Sequence, residues 1–191
     1  MTTETDIANQ ALDILKEAPI SSLDDPRPVA RWLKRNFAVT RDSVLSAADW
    51  NFALKRASLT AESAAPGFGW SYSYVLPSDC IRLIPLTLDG YSEGPPLLHE
   101  VENRRILTDQ PAPLKIRYIY RNETYSQYSA TFQEAMSAKL AMKMAHWVTG
   151  KTSYAQIAQR LYQDAINNAW LTDAIEGSTP RAADQEWIRA R

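Results

Sequence analysis

The spacing of hydrophobic residues changes twice along the 191-residue chain, and this change constrains the fold more than any other feature. At both ends apolar residues recur every three or four positions, as on one face of a helix. Over residues 60–130 they recur at alternate positions between prolines and glycines, as in short strands joined by turns. The pattern predicts an α+β, mostly α fold: a helical bundle formed by residues 1–59 and 131–177, an inserted small antiparallel β lobe of residues 60–130, and an extended C-terminal tail of residues 178–191.

The N-terminal part predicts two helices. The first covers Glu4–Ala18 and ends before Pro19, because proline cannot continue a helix and disfavours helical geometry in the residue before it. The second covers Val29–Leu59, either as one long helix or as two collinear ones, with Asp25 as its N-cap.

The C-terminal part predicts two further helices, over residues 131–150 and 152–175. Gly150 and Gly177 are expected to end them, since glycine readily adopts the left-handed conformation found just after many helices. The expected apolar stripes include Trp147 in the first of these helices and Ile157 and Leu161 in the second.

The central region predicts four or five short strands. Asn103-Arg104 separates two alternating runs and is expected to form a tight hairpin turn. The last strand, over residues 114–121, is expected to bury one face only, with Ile119 on the other face. The expected strands are Trp70–Leu76, Ile81–Leu86, Leu97–Glu102, Arg105–Thr108 and residues 114–121.

One strand carries an unusually aromatic face. In GFGWSYSYVLPSD, Trp70, Tyr72 and Tyr74 alternate with smaller residues and therefore point to the same side of a strand. Aromatic side chains bury a large apolar area while keeping a polar tip. We expect these three to fill the interface between the β lobe and the bundle, with Ser71 and Ser73 on the opposite face.

Composition and charge argue against several functional classes. A net charge of −1 gives no bulk attraction to nucleic acids or to membrane surfaces. No apolar run approaches the ~20 residues that a membrane-spanning helix needs, and the N-terminus lacks the basic and apolar segments of a secretion signal. A single cysteine fits a reducing compartment. We expect a soluble protein made in the cytoplasm and without a membrane partner.

Residues suited to catalysis are scarce. Catalysis near neutral pH needs a titrating or nucleophilic group held beside a partner. His146 lies in an apolar helix and is interpreted as a partly buried structural residue, and His99 has no second histidine or cysteine at metal-ligand spacing. Cys80 is interpreted as a small buried hydrophobe. With no phosphate-binding or dinucleotide-binding glycine motif, the sequence predicts a protein that is not an enzyme and uses no metal or cofactor.

Charge is distributed unevenly, with residues 1–25 mostly acidic and residues 31–56 mostly basic. One interpretation is two solvated helices that attract each other in an antiparallel pair. Another is an interface between identical subunits. A third is a small DNA-binding or regulatory module that uses a basic helix face over residues 31–56. The candidate subunit-interface residues are Asp6 and Asp13 on the acidic side and Arg31, Lys34 and Arg35 on the basic side.

The C-terminal tail contains Trp187 and Ile188 among polar residues. Two such residues are too few to build a core, yet they are too apolar to stay in water without a reason. The tail either forms a short helix that folds back on the domain or orders against another protein, with Trp187 as an anchor in a pocket.

Three motifs, in this order and spacing, resemble the tail tubular protein A-like family of head-to-tail adaptors from tailed bacteriophages. The resemblance covers roughly residues 5–175. In the hairpin the family pattern leads us to expect a glycine, where this chain has Asn103-Arg104. The motifs are a Trp-x-Phe-Ala run with basic residues after it (Trp50, Phe52, Ala53, Lys55, Arg56), the strand end Leu76–Cys80, and Ile106–Asp109 followed by Arg117 and Tyr118.

The resemblance implies a ring, typically of twelve subunits, that joins the portal protein to the next tail protein, a nozzle or stopper. Double-stranded DNA would pass through the central channel without specific binding. The expected location is the head–tail junction of the virion, and because the ring would assemble on the portal, an isolated copy can be monomeric. A C-terminal segment often grips the portal in this family, which makes Arg181, Trp187, Ile188 and Arg189 the candidate portal-binding residues.

Overall fold

The structure, a computed structural model, describes residues 2–88 and 95–176, without the side chains of residues 170 and 172–176. Within these residues the elements are α1 (Glu4–Leu15), α2 (Pro28–Leu45), β1 (Leu54–Leu59), β2 (Tyr72–Val75), β3 (Cys80–Leu83), β4 (Glu100–Glu102), β5 (Arg105–Thr108), β6 (Leu114–Tyr120), α3 (Ala130–Thr149) and α4 (Thr152–Glu176). The fold is α+β and mostly α, as predicted. Gly177 and the predicted tail over residues 178–191 lie outside the described residues.

Helix α1 begins as predicted but ends earlier. The Thr3 hydroxyl accepts a hydrogen bond from the Asp6 N–H, and the Asp6 carboxylate accepts one from the Thr3 N–H (3.2 and 2.8 Å). This capping box satisfies two N–H groups that have no partner inside the helix. At the other end Lys16 adopts the left-handed conformation (φ 59°) and its N–H bonds back to the last turn. The helix therefore ends at Leu15 and not at Ala18.

The predicted helix over Val29–Leu59 is wrong in its second half. Helix α2 ends at Leu45, the chain turns, and β1 then pairs along its whole length with β6. The turn is held by Trp50, whose buried indole N–H donates to the Val44 carbonyl (2.9 Å). Pairing with a strand more than fifty residues away overrides the local helical pattern.

The predicted N-cap of this helix is also wrong. Arg27 occupies the N-cap position, and Pro28 follows as the first helical residue, where its missing N–H costs nothing. Asp25 instead accepts hydrogen bonds from the backbone N–H and from Nε of Arg27 (3.0 and 3.2 Å). Asp25 thus stabilises the turn that leads into the helix.

Helix α3 is the centre of the bundle, since α1, α2 and α4 all pack against it. The Ser129 hydroxyl caps its N-terminus and Gly150, with φ 66°, ends it. This confirms the helix predicted over residues 131–150. Because partners cover it on several sides, buried residues occur almost all round it, as expected for an enclosed helix.

Aromatic rings fill the end of the bundle nearest the lobe. The Phe132 ring lies 4.9 Å from Trp50, 5.0 Å from Phe52 and 4.6 Å from Tyr128, measured between ring centroids, and all three contacts are edge-to-face. This arrangement places the positive ring edge against the negative ring face. Two of these residues, Trp50 and Phe52, belong to the first motif of the family resemblance, so that motif builds the bundle core.

The β lobe consists of two three-stranded antiparallel sheets with the orders β1-β6-β3 and β2-β5-β4. Side chains from both sheets form a second core, which includes fully buried Tyr74 and Ile106. The predicted aromatic face is therefore only partly correct. Tyr74 fills the lobe's own core rather than the interface with the bundle, Tyr72 is exposed, and Ser73, predicted on the opposite face, is buried.

Strand β6 belongs to both cores, which corrects the prediction that it buries one face. Leu114, Ile116 and Tyr118 contribute to the lobe core. Ile119, on the opposite face, is fully buried in the bundle core. Tyr120 packs against both cores. The lobe and the bundle are thus joined through one continuous strand.

We predict that Phe132→Ala lowers the free energy of unfolding by about 3–5 kcal/mol, because it leaves a cavity at the aromatic end of the bundle. Urea denaturation followed by circular dichroism measures this change. Phe68→Ala is the matched control, since Phe68 is 92% exposed and its loss should stay within about 0.5 kcal/mol. Similar losses for the two variants would contradict the assignment of the core.

Candidate interaction surfaces

Residues from the three motifs meet along the lobe sheet β1-β6-β3. The Asp79 carboxylate accepts hydrogen bonds from Lys55 Nζ (2.7 Å) and from the Tyr118 hydroxyl (3.1 Å). The Lys55 ammonium also lies 3.9 Å from the centre of the Tyr120 ring. These contacts connect β1, the segment before β3, and β6, so residues from all three motifs meet in one place.

Electrostatics at this contact favours the charged carboxylate of Asp79. The hydrogen bond from Lys55 lowers the pKa of Asp79 below its ordinary value of 3.8, and the bond from Tyr118 acts in the same direction. Burial raises the pKa of Tyr118 to about 12, with the adjacent negative charge adding to the effect. Asp79 therefore stays ionised, and Tyr118 stays a hydrogen-bond donor, through the physiological range.

The hairpin turn between β4 and β5 also contacts the segment before β3. Asn103 and Arg104 have positive φ angles of 43° and 59°, as a tight two-residue hairpin turn requires, which confirms the predicted turn. The Arg104 guanidinium then reaches across and donates to the carbonyls of Pro77 (2.7 Å) and Cys80 (3.3 Å). A glycine would suit this backbone better but could not make these contacts, which explains why arginine is found here.

A second charged network connects α2 to the chain segment that leaves β6. Arg41 is almost fully buried and pairs with Asp42 (2.9 Å) and Glu123 (3.0 Å). Asp42 also accepts from Arg121 (2.9 Å). A buried guanidinium needs such partners, because an unpaired charge in the interior is costly.

The residues considered for chemistry have ordinary structural surroundings. Cys80 is buried as predicted, and burial raises the pKa of its thiol. His99 Nδ1 lies 2.8 Å from the Leu97 carbonyl. His146 is exposed, so its interpretation as a partly buried residue is wrong. Within the described part of the chain no three His, Cys, Asp or Glu residues come together in a geometry that could hold a metal ion.

The charged helices do not form the predicted antiparallel pair, because α1 and α2 each pack on α3. A single ion pair joins the acidic and basic segments among the described residues, between Lys34 and Asp24 (2.6 Å). Asp6 is used in the capping box. The candidate interface residues Asp13, Arg31 and Arg35 are exposed.

The basic face expected over residues 31–56 is not continuous. Lys55 and Arg56 lie on strand β1 and not on a helix. Lys55 is already engaged with Asp79. What remains on α2 is a short group of exposed basic residues.

Helix α4 exposes apolar side chains that its sequence pattern assigned to the core. Ala158, Ala165 and Ala169 are buried in the bundle core with Tyr162 and Ile166 packed beside them, whereas Ile157 and Leu161 are about half exposed. The exposed pair and the buried alanines occupy adjoining sectors of the helix surface, since Leu161 lies four positions before Ala165. Sequence periodicity could not separate them, because both sets recur at helical spacing.

The loop before β2 presents a further apolar group. Phe68 is almost fully exposed at its tip, between two glycines, of which Gly69 has a φ of 84°. Trp70 anchors the loop by donating its indole N–H to Glu100 (3.0 Å). The exposure of Phe68 could not be predicted, since GFG is too short to count as a motif.

No protein-family profile matches this sequence, and no curated protein shows significant similarity to it. None of the helices in residues 2–88 and 95–176 combines the length and hydropathy needed to span a bilayer. The candidate portal-binding residues Arg181, Trp187, Ile188 and Arg189 lie outside the described residues.

We predict that Arg104→Gly lowers the free energy of unfolding by about 1–2 kcal/mol, because the lost charged hydrogen bonds outweigh the relief of backbone strain. Asn103→Gly is the matched control at the neighbouring turn position. It should leave stability unchanged or raise it by less than about 1 kcal/mol. Thermal or urea denaturation compares the two, and a stabilising Arg104→Gly would contradict the role assigned to the guanidinium.

We predict that Asp79→Asn lowers stability by about 1 kcal/mol at neutral pH, a modest value because the ion pair is partly exposed. The folded-state pKa of Asp79 is lowered, so its contribution is complete above the unfolded-state pKa and is lost as pH falls through the folded-state value. The difference from the wild type should therefore shrink below about pH 4. Urea denaturation between pH 7 and pH 3 measures it.

The matched control for this pH series is Asp13→Asn, which removes an exposed carboxylate without an ion-pair partner among the described residues. Its effect on stability should be small at every pH. A wild-type advantage over Asp79→Asn that grows on acidification would contradict the assigned pKa shift.

Proposed function

We propose that this protein is a structural, non-enzymatic virion component, an adaptor ring that joins the portal to the tail of a tailed bacteriophage. The observation that carries the proposal is the contact network around Asp79 described above. Three motifs that are far apart in sequence, represented by Lys55, Asp79 and Tyr118, form one contact network. Three motifs that contact one another in the folded chain support a family resemblance better than three separate sequence matches do.

The roles of the partners follow from the resemblance. Copies of the chain form a ring, typically of twelve subunits, at the head–tail junction. One side of the ring binds the portal and the other binds the nozzle or stopper, while double-stranded DNA passes through without specific binding. The mixture of charged and apolar exposed groups, such as Arg31 on α2 and Phe68 on the lobe, suits a protein with several contact surfaces.

The alternative of a DNA-binding or regulatory module remains a hypothesis. It depended on a continuous basic helix face over residues 31–56, and the second half of that face is strand β1. Lys34 is paired with Asp24, which further reduces the free positive charge on α2. No observation favours this function over the adaptor.

We predict that deleting residues 178–191 leaves the fold intact and abolishes binding to the portal protein of the same phage. The tail holds Trp187 and Ile188, which are suited to anchoring in an apolar pocket of another protein. Co-sedimentation with purified portal measures binding, and circular dichroism checks the fold. The full chain should sediment with the portal and the truncated chain should not.

Trp187→Ala and Trp147→Ala form a matched pair for the same assay. The first should weaken portal binding at least about tenfold, as expected for the loss of an aromatic anchor, and the second should not. Unchanged binding by the truncated chain would contradict the role of the tail. Failure of the full chain to bind the portal would contradict the proposed function itself.

A further inference from the structure

Strand β4 lies at the edge of its sheet. The order of this sheet is β2-β5-β4, so among the described residues β4 pairs with β5 on one side only, and all three residues of β4 are exposed. An edge strand presents backbone N–H and C=O groups that can pair with a further strand. The edge of β4 can therefore accept an extended segment as an added strand, which is a common way for a sheet to bind a peptide.

The side chains of β4 determine which segment fits. Glu100 and Glu102 lie on one face of the sheet and Val101 on the other, because successive residues of a strand alternate. Val101 lies opposite Ile106, which is in the lobe core, but is itself 50% exposed. A segment paired with β4 would meet two carboxylates on one face and an apolar side chain on the other. The matching pattern is basic, apolar, basic.

The two carboxylates of β4 lack a compensating charge. Neither Glu100 nor Glu102 forms an ion pair with a described residue. Arg105 lies opposite Glu102 on β5 but pairs with Glu62 (2.9 Å). The Glu100 carboxylate accepts the indole N–H of Trp70 (3.0 Å), which is a neutral donor. The edge therefore favours a positively charged strand over any other.

The C-terminal tail of the chain contains this pattern. Residues 187–191 read Trp-Ile-Arg-Ala-Arg, and in an extended conformation Arg189 and Arg191 share one face while Ala190 lies on the other. No other stretch outside the described residues has two basic residues at this spacing. The tail therefore matches β4 in both charge and alternation.

The tail also begins at the right end of the molecule. Helices α3 and α4 are joined by a short turn, and Lys139 Nζ lies 4.3 Å from the centre of the Tyr162 ring, so α4 runs back along α3. It therefore ends at the end of the bundle nearest the lobe, where Phe132 lies in the aromatic cluster. Residues 177–188 can span about 40 Å when extended, whereas a lobe of this size is about 30 Å across.

A pocket beside β4 provides an apolar contact for Trp187, which shares the face of the two arginines in an extended tail. The pocket has a volume of about 390 Å³ and is lined by Phe68 and Trp70 together with the two glutamates of β4. Phe68 is 92% exposed, so a third aromatic ring would cover apolar surface that no described residue covers.

We propose that residues 187–191 dock along the edge of β4 in the same molecule as an added strand. The two arginines of the tail then face the two glutamates of β4, and Ala190 covers Val101. Individual surface ion pairs contribute little, but a tethered segment binds at a high effective concentration. The docking is therefore reversible, and the tail can still be released to another partner.

Disulfide trapping in the full chain tests this docking. Val101→Cys combined with Ala190→Cys places the two thiols opposite each other whether the added strand is parallel or antiparallel to β4. The matched control is Val75→Cys with Ala190→Cys, since Val75 is also 50% exposed but lies on β2, on the other side of the same sheet. Under mild oxidation of dilute protein, the first pair should form an intramolecular disulfide at least about fivefold faster than the second. Peptide mapping identifies the disulfide and separates it from any product of the buried Cys80.

Charge exchange on the Val101→Cys and Ala190→Cys background tests the same contact independently. Glu102→Lys should slow trapping at least about threefold, and adding Arg189→Glu should restore the rate if the strands are antiparallel, or Arg191→Glu if they are parallel. Arg181→Glu, a charge reversal in the tail outside the matching pattern, is the control and should leave the rate unchanged. Far-UV circular dichroism confirms that each variant is folded.

Several outcomes would overturn the inference: equal rates for the two cysteine pairs, disulfide-linked dimers in place of the intramolecular product, or no recovery with either arginine reversal. Slowing by Arg181→Glu as strong as that by Glu102→Lys would also overturn it. The docking does not rest on the proposed function, and the assay contains no portal protein, so the two can fail separately. If both hold, the portal must displace the tail from β4 before it can bind it.

Discussion

Strand β6 is hydrogen-bonded on both edges, by β1 and β3, and towards its end it is buried on both faces. Successive side chains of a strand point in opposite directions, so Tyr118 enters the lobe core while Ile119 enters the bundle core. Burying a side chain such as Ile119 contributes about 1.5–3 kcal/mol. Neither core can be dismantled without losing part of the other, and the lobe is therefore an integral part of the domain.

Polar contacts hold β6 within the lobe sheet and join the residue after β6 to the bundle. Asp79 holds β1 and β6 together through Lys55 and Tyr118, and Arg121 pairs with Asp42 on α2 directly after β6 ends. Every one of these contacts crosses from one element to another. A body connected in this way keeps the surfaces of the lobe and of the bundle in a fixed relation, as the proposed adaptor function would require.

The sequence predicted the elements whose determinants are local. The cap at Ser129, the stop at Gly150 and the turn at Asn103-Arg104 each depend on a few neighbouring residues. Prediction failed where distant partners decide the structure. Leu54–Leu59 continues a helical pattern but pairs with β6. Ile157 and Leu161 repeat like core residues but are about half exposed. Exposure of an apolar stripe is a property of the packed bundle, so periodicity alone cannot reveal it.

The central physical claim is that β6 makes the lobe and the bundle one cooperative unit. Native-state hydrogen exchange, followed at increasing concentrations of urea, tests it directly because it reports the free energy of opening for each region separately. The most protected amides of β5 in the lobe and of α3 in the bundle should converge on the same opening free energy, equal to that of global unfolding. Amides of β5 that open at a much lower free energy while those of α3 stay protected would contradict the claim.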